Sequence, residues 1–171
     1  GTAFCDFSRN TEPEKIARVF DPAIERVAGV YNDEAYAWQR FIGYIRAAPW
    51  TMRSYEIYNE SVSGWGATPS SWDIEGSNDT TTGYDGTWAV VDDVRDQPIM
   101  VAREQRSYLC SNPGAYKAYR IRAGYGAYSG DPTYYFANLG YWGGYETPAI
   151  KGLGTDFSGN GNHWNITGSQ S

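Results

Sequence analysis

The clearest alternation of apolar and polar residues in this chain lies between residues 72 and 91. Residues 72–75 alternate Trp, Asp, Ile and Glu, which is the two-residue period of a half-buried strand. Residues 76–86 are almost all Gly, Ser, Asn, Asp and Thr, and these residue types favour turns. Apolar residues resume at 88–91. The pattern predicts a strand, a polar turn and a second strand.

Other short segments have strand patterns as well, at residues 41–45, 55–58, 116–123 and 136–143. In the third of these, Tyr119 and Ile121 are expected on one face of the strand and Arg120 and Arg122 on the other. Residues 48–52, around Pro49, are expected to turn the chain from the first segment into the second.

Two short helices are predicted near the N-terminus. Thr11 can cap a helix, Glu14 stands at the capping-box position, and Pro13 fits the first turn. Apolar residues follow with helical spacing. Asp21 and Pro22 can then start a second short helix.

Composition favours an all-β domain with a core rich in aromatic residues. The 171 residues include 15 Tyr, 7 Trp, 6 Phe and 20 Gly, which suits many short strands with glycine-rich turns. The net charge of −6 disfavours nucleic acid and anionic lipid as partners, since both require a basic face. No apolar run is long enough to cross a membrane.

Several of these segments resemble motifs of discoidin-like, or coagulation factor type C, domains. The resemblance is carried by Gly-Ser-Asn-Asp at 76–79 followed by Trp88, by Tyr-Lys-Ala-Tyr-Arg-Ile-Arg at 116–122, and by the closing segment 136–143. It covers about residues 5–144. It implies an all-β, eight-stranded jelly-roll sandwich of the galactose-binding-like fold, with the one or two short helices as additions.

The same resemblance bears on a structural calcium ion. Val-Phe-Asp at residues 19–21 is similar to the family's Ala-Phe-Asp-Gly segment, near a loop that often helps to hold calcium. Asp21 and Asn138 would be the metal ligands here. The chain departs from the family in having Pro22 in place of Gly and Asn138 in place of Glu, although an amide oxygen can still bind a hard cation.

The two cysteines, Cys5 and Cys110, permit one disulfide in an exported protein. Such a bridge would tie the N-terminal strand to the second half of the domain. The alternative is two buried thiols.

Binding chemistry is expected in the loops. In galactose-binding-like folds the loops at one end of the sandwich carry the ligand, and sugar recognition combines flat aromatic faces with polar groups that bind hydroxyls. Two loops of this chain, at residues 29–40 and 124–133, have that mixture, and Trp65 lies in a third loop that would join them. The predicted carbohydrate-binding residues are Tyr31, Asn32, Glu34, Trp38, Arg40, Trp65, Tyr125, Tyr128 and Asp131.

Catalysis is not expected. The single histidine, His163, lies near the C-terminus, and the chain has no nucleophile elbow, phosphate loop or paired-cysteine motif. The adjacent acids Asp92 and Asp93 would point to opposite faces of a strand.

We expect two regions, a discoidin-like domain at 1–144 and a linker with a C-terminal arm at 145–171. Residues 156–167 resemble the opening strand of concanavalin-like or laminin-G-like domains, which recur in secreted bacterial proteins and phage virions. The arm would begin a further β domain, pair with a neighbouring subunit or form a free end.

The main functional hypothesis is a non-catalytic carbohydrate-binding module, extracellular or on a virion surface such as a phage spike, fibre or decoration protein. It would attach to host surface polysaccharide. The alternative is a structural assembly domain, in which the Tyr-rich loops and the arm contact other subunits of the virion or surface array.

Overall fold

The computed structural model describes residues 1–6, 16–17, 19–20, 41–59, 68–98, 100–101, 103–123, 126–127 and 139–147. These residues form ten strands: β1 (Thr2–Cys5), β2 (Phe41–Thr51), β3 (Ser54–Tyr58), β4 (Thr68–Pro69), β5 (Trp72–Ser77), β6 (Ala89–Val94), β7 (Gln105–Leu109), β8 (Ala115–Ala123), β9 (Gly126–Ala127) and β10 (Tyr141–Tyr145). All of their pairings are antiparallel, so the predicted all-β class is confirmed.

Eight of the strands form two sheets. The larger sheet has the order β1–β2–β8–β5–β6 and the smaller has the order β10–β3–β7, while β4 and β9 form a separate pair. Side chains from the larger sheet and from the smaller sheet share one buried cluster, which makes the arrangement a sandwich. The predicted eight-stranded sandwich is therefore confirmed.

The core lies between the two sheets. Ile42 of β2 and Ile74 of β5 both pair with Ile121 of β8, and all three side chains are fully buried. Tyr55 and Ile57 of β3 join the same cluster from the smaller sheet. Burying one such side chain stabilises the fold by about 1.5–3 kcal/mol.

A polar network inside the core links the two sheets. The Tyr55 hydroxyl donates to Asp92 at 2.7 Å and accepts from the Trp72 indole N–H at 2.9 Å. Asp92 also accepts from the Ser111 hydroxyl at 2.8 Å. Burial, and next the charge of Asp92, raise the pKa of Tyr55 far above its usual value. Asp92 is buried and Asp93 is exposed, so the expectation that these acids face opposite ways is confirmed.

A buried arginine lies on the outer face of the larger sheet. Arg120 faces away from the core as predicted, yet it is only 9% exposed. Its Nε donates to Glu75 at 2.6 Å, and its guanidinium lies between the rings of Trp88 at 3.9 Å and Phe41 at 4.4 Å. We call these four residues the arginine cluster. Because a buried charge is costly without a partner, Glu75 and Arg120 depend on each other.

The polar turn between β5 and β6 covers this cluster. Asp85 accepts hydrogen bonds from the hydroxyls of residues 80–82 and from two of their backbone N–H groups, which hold its pKa well below the usual range. Gly83 has a φ of 88°, and a Cβ there would overlap the ring of Phe4. The Gly83 carbonyl accepts a hydrogen bond from Arg120. The predicted turn is therefore also a lid over the sheet.

Part of the first predicted helix lies within the described residues. Ile16 and Ala17 are helical, and the N–H of Val19 donates to the carbonyl of Ile16 at 3.2 Å. Ile16 and Val19 are buried in the core cluster. The second predicted helix lies outside the described residues.

The expected turn at Pro49 is wrong. Strand β2 continues to Thr51, with a register shift between the pairs Ile45–Ala118 and Trp50–Tyr116. Four residues of β2 lie opposite one residue of β8 in this interval. A bulge of this kind leaves residues unpaired, so proline is tolerated there without ending the strand.

The expected disulfide is not formed in the structure. Cys5 and Cys110 are both thiols. Cys5 lies on edge strand β1, whereas Cys110 follows β7 and lies near Asp92 of β6, the opposite edge strand. Bridged cysteines need Cα atoms within about 7 Å of each other. The structure therefore has the alternative that the sequence left open, two unbridged thiols.

Candidate functional site

The residues predicted to bind carbohydrate lie outside the described part of the chain, as do the two predicted calcium ligands. The carbohydrate-binding residues are Tyr31, Asn32, Glu34, Trp38, Arg40, Trp65, Tyr125, Tyr128 and Asp131; the calcium ligands are Asp21 and Asn138. Among the described residues, no three His, Cys, Asp or Glu side chains come together in a way that could hold a metal ion.

Strand pairing nevertheless brings the neighbours of the three predicted loops together. Phe41, which follows the first loop, pairs with Arg122, which precedes the third. Strand β4 begins three residues after Trp65 and pairs with β9, which lies between Tyr125 and Tyr128. The backbone register therefore favours the expectation that these loops meet.

A cleft of about 630 Å³ opens elsewhere, between the first two strands of the larger sheet and the edge strand β10. We call it the β10 cleft. Its walls are mostly aromatic, and the described residues that line it are Gly1, Ala3, Ala17, Phe20, Tyr44, Arg46, Trp50, Met52, Tyr119, Tyr141, Trp142, Gly143, Gly144 and Tyr145. The volume lies in the usual range for small-ligand sites.

The bulge in β2 brings Trp50 to the cleft. The Trp50 ring packs edge-on against Tyr119, with centroids 4.8 Å apart. It also lies against Gly144, where a Cβ would come within 2.7 Å of the indole. The lack of a side chain at Gly144 therefore leaves room for the tryptophan. A regular strand would not carry the three extra residues that the bulge inserts before it.

A second aromatic group forms another part of the wall. Phe20 contacts Tyr44 with centroids 5.4 Å apart and Trp142 with centroids 5.5 Å apart. The backbone N–H of Trp142 donates to the carbonyl of Val19 at 2.8 Å, which joins the short N-terminal turn to β10. The cleft therefore combines aromatic faces from distant parts of the sequence.

Arg46 has the charged side chain in the described lining of the cleft. Its guanidinium lies 5.1 Å from the centre of the Trp50 ring, and among the described residues it has neither a hydrogen bond nor an ion pair. Arg46 is exposed, so its N–H donors can reach a ligand that offers oxygen acceptors. The indole Nε1 of Trp142 has no hydrogen-bond partner in the described part of the chain, but it is buried and does not reach the open cleft.

The hydroxyls of two tyrosines in the cleft lining, Tyr119 and Tyr145, are already hydrogen-bonded. The Tyr119 hydroxyl bonds to backbone groups of Met52 and Trp50. The Tyr145 hydroxyl donates to Glu56 at 3.1 Å, and burial raises its pKa far above its usual value. The described lining includes no carboxylate and no imidazole.

This cleft is not visible in the sequence patterns. Residues 48–52, which include Trp50, are predicted as a turn, and Arg46 lies just past a short apolar run. The register shift that brings them together depends on β8, which is some 70 residues away along the chain. The only local signal was Pro-Trp at the end of a strand pattern.

Comparison with known proteins supports the fold. The sequence matches no protein-family model, and no curated protein shows significant similarity. The structure is similar to chitosan-binding module 1 of a chitosanase/glucanase from Paenibacillus sp. IK-5, with a TM-score of 0.56 and 18% identity over 84% of this chain and 93% of that one. It is also similar to the family 32 carbohydrate-binding module (CBM) from C. perfringens NanJ in complex with galactose, with a TM-score of 0.57 and 14% identity over 82% and 90%.

Two further matches have the same fold. An F5/8 type C domain from Bacteroides fragilis has a TM-score of 0.58 and 14% identity over 86% of this chain and 91% of that one. A protein described as an alpha-L-fucosidase from Bacteroides thetaiotaomicron has a TM-score of 0.58 and 15% identity, and the chain spans 28% of its length. The chain therefore has the discoidin-like, galactose-binding-like fold that the sequence motifs implied.

Proposed function

We propose that this chain is a non-catalytic carbohydrate-binding module, and that the β10 cleft is a glycan-binding surface. The observation that carries the proposal is the combination of aromatic walls with the exposed Arg46 guanidinium in one cleft. Aromatic faces can stack on the C–H faces of a sugar ring, and the guanidinium donors can bind its oxygens.

The fold supports the same proposal by analogy. Of the matching modules, one is a chitosan-binding module and another is a carbohydrate-binding module solved in complex with galactose. Because one fold can host many functions, the similarity favours carbohydrate binding without establishing it. The residues of the cleft supply the chemical argument.

The predicted loop residues are part of the proposal as a second glycan contact. Pairing of β4 with β9, and of Phe41 with Arg122, brings the neighbours of these loops together. Asp21 and Asn138 remain a predicted calcium site.

We propose that the module works on a secreted protein or a virion surface and binds host polysaccharide there. This setting is supported by the resemblance of residues 156–167 to concanavalin-like domains. Single sites of this kind are weak, so repeated copies would supply avidity. Among the residues that the structure describes, no helix has the length and apolar composition needed to span a bilayer.

The test uses the full chain on a glycan array, followed by calorimetric titration of the strongest glycan. Tyr44→Ala removes an aromatic wall and should weaken binding by about threefold to tenfold, since aromatic contacts contribute about 0.5–1.5 kcal/mol. Tyr84→Ala is the matched control, because Tyr84 is 58% exposed and lies outside the cleft. Near-UV circular dichroism checks that each variant is folded.

The outcomes separate the two surfaces. If Trp65→Ala weakens binding and Tyr44→Ala does not, the predicted loops bind the glycan and the cleft assignment is wrong. A folded protein that binds no glycan contradicts the proposed function. Repeating the array in calcium and in chelator tests the predicted metal site.

A further inference from the structure

Arg46 differs from the other arginines in the described strands. Arg106, Arg120 and Arg122 each pair with a carboxylate at 3.3 Å or less. Among the residues that the structure describes, Arg46 has no carboxylate partner, and it stacks on Trp50 instead. This is so although the chain has 20 acidic and 14 basic residues.

The stacking on Trp50 prepares the guanidinium for an anion. A cation over an indole face is held by the ring quadrupole. Its planar fork of N–H donors then stays available at the edge and matches the two oxygens of a carboxylate. Because the side chain is already positioned, less rotamer entropy is lost when a ligand binds.

The rest of the described lining leaves this positive charge uncompensated. It consists of aromatic, glycine, alanine and methionine residues besides Arg46. An anionic sugar would therefore gain an ion pair with Arg46 that a neutral sugar cannot form, and a cationic sugar would be repelled.

We propose that the β10 cleft binds the carboxylate-bearing sugar of an acidic polysaccharide, with Arg46 donating to the carboxylate. The inference rests on the proposed glycan-binding function and names its ligand class. It also distinguishes this chain from the matching module whose description names chitosan, a cationic glycan.

The experiment compares three short oligosaccharides in calorimetric titrations with the full chain. Tri-galacturonate is the acidic probe, its methyl ester is the neutral probe with the same sugar rings, and chitotriose is the cationic probe. Short oligomers are used because the net charge of −6 would repel a long polyanion. The acidic probe should bind at least about tenfold more tightly than its ester, which is about 1.4 kcal/mol.

Three variants test whether Arg46 causes the preference for the acidic probe over its ester. Arg46→Gln should abolish this preference, because the affinity for the acidic probe falls while the affinity for the ester is unchanged. Arg46→Lys should keep part of it, since lysine retains the charge without the planar fork. Arg103→Gln is the matched control, because it removes one exposed positive charge outside the cleft and should leave the preference intact.

The outcomes distinguish this inference from the proposed function. Equal affinity for the acid and its ester, or a preference that survives Arg46→Gln, overturns the inference. Binding of the neutral or cationic probe alone overturns it while the glycan-binding function stands. If neither these probes nor any glycan on the array binds, both proposals are wrong.

Discussion

The arginine cluster makes a sharp prediction about stability. Glu75 and Arg120 are cross-strand neighbours on β5 and β8, with side chains that are 7% and 11% exposed. Glu75→Gln keeps the shape of the side chain but removes its charge. Arg120 would then stay buried between Trp88 and Phe41 without a carboxylate.

The size of the effect follows from this burial. Removing one partner of a buried ion pair typically costs about 3–5 kcal/mol. The glutamine oxygen can still accept one hydrogen bond, and the two rings and the carbonyl of Gly83 continue to contact Arg120. We therefore expect the lower end of the range, about 3 kcal/mol. For a domain of this size that is a fall in melting temperature of about 6–12 °C.

The matched control is Asp73→Asn, the same chemical change two residues earlier on β5. Asp73 pairs with Arg95 at 2.7 Å, but the Arg95 side chain is 51% exposed, and exposed pairs contribute about 0–1 kcal/mol. Urea unfolding followed by tryptophan fluorescence and circular dichroism gives both free energies. Equal losses in the two variants would refute the reasoning that burial makes the Glu75 pair important.

Two other predictions concern pH and redox state. Burial, then Asp92, raises the pKa of the Cys110 thiol from 9.0 to about 12, and the pKa of Tyr55 is raised for the same two reasons. Both groups hold their protons more tightly when folded, so the free energy of unfolding should be unaffected by them below about pH 9 and should fall as the pH rises towards 12. Urea midpoints at pH 8 and 11 measure this fall, which Cys110→Ala should reduce; a flat profile would contradict it. Because Cys5 and Cys110 are not bridged, reductant should leave the melting temperature unchanged, whereas loss of a disulfide over so long a loop would cost several kcal/mol.

Much of the fold could be predicted from the sequence because its signals are local. Residues 72–77 and 115–123 form strands close to their predicted bounds. The alternation of Arg120 with Ile121 correctly predicted the two faces of β8. Side chains alternate at every step along a strand, so the pattern alone identifies the face that is buried.

The cleft could not be predicted in the same way. Its polar group Arg46 and its aromatic wall Trp50 are placed by a bulge that depends on the register between β2 and β8. The opposing wall comes from Trp142, almost a hundred residues away in sequence. Cys110 lies near β6, at the opposite edge of the larger sheet from β1, which carries Cys5. This separation results from the sheet topology, so the number of cysteines could not show whether the two are bridged.

The sequence by itself determined the class of the fold, the strands and the polar turn, because these depend on the periodicity and turn preferences of neighbouring residues. Only the tertiary structure decided which surface residues are buried and which donors lack partners. Arg120 and Arg46 illustrate the difference. Both are arginines in strands, yet one is enclosed with Glu75 while the other stacks on Trp50 without an ion pair. That outcome depends on which elements pack against each residue, which is a long-range property of the folded chain.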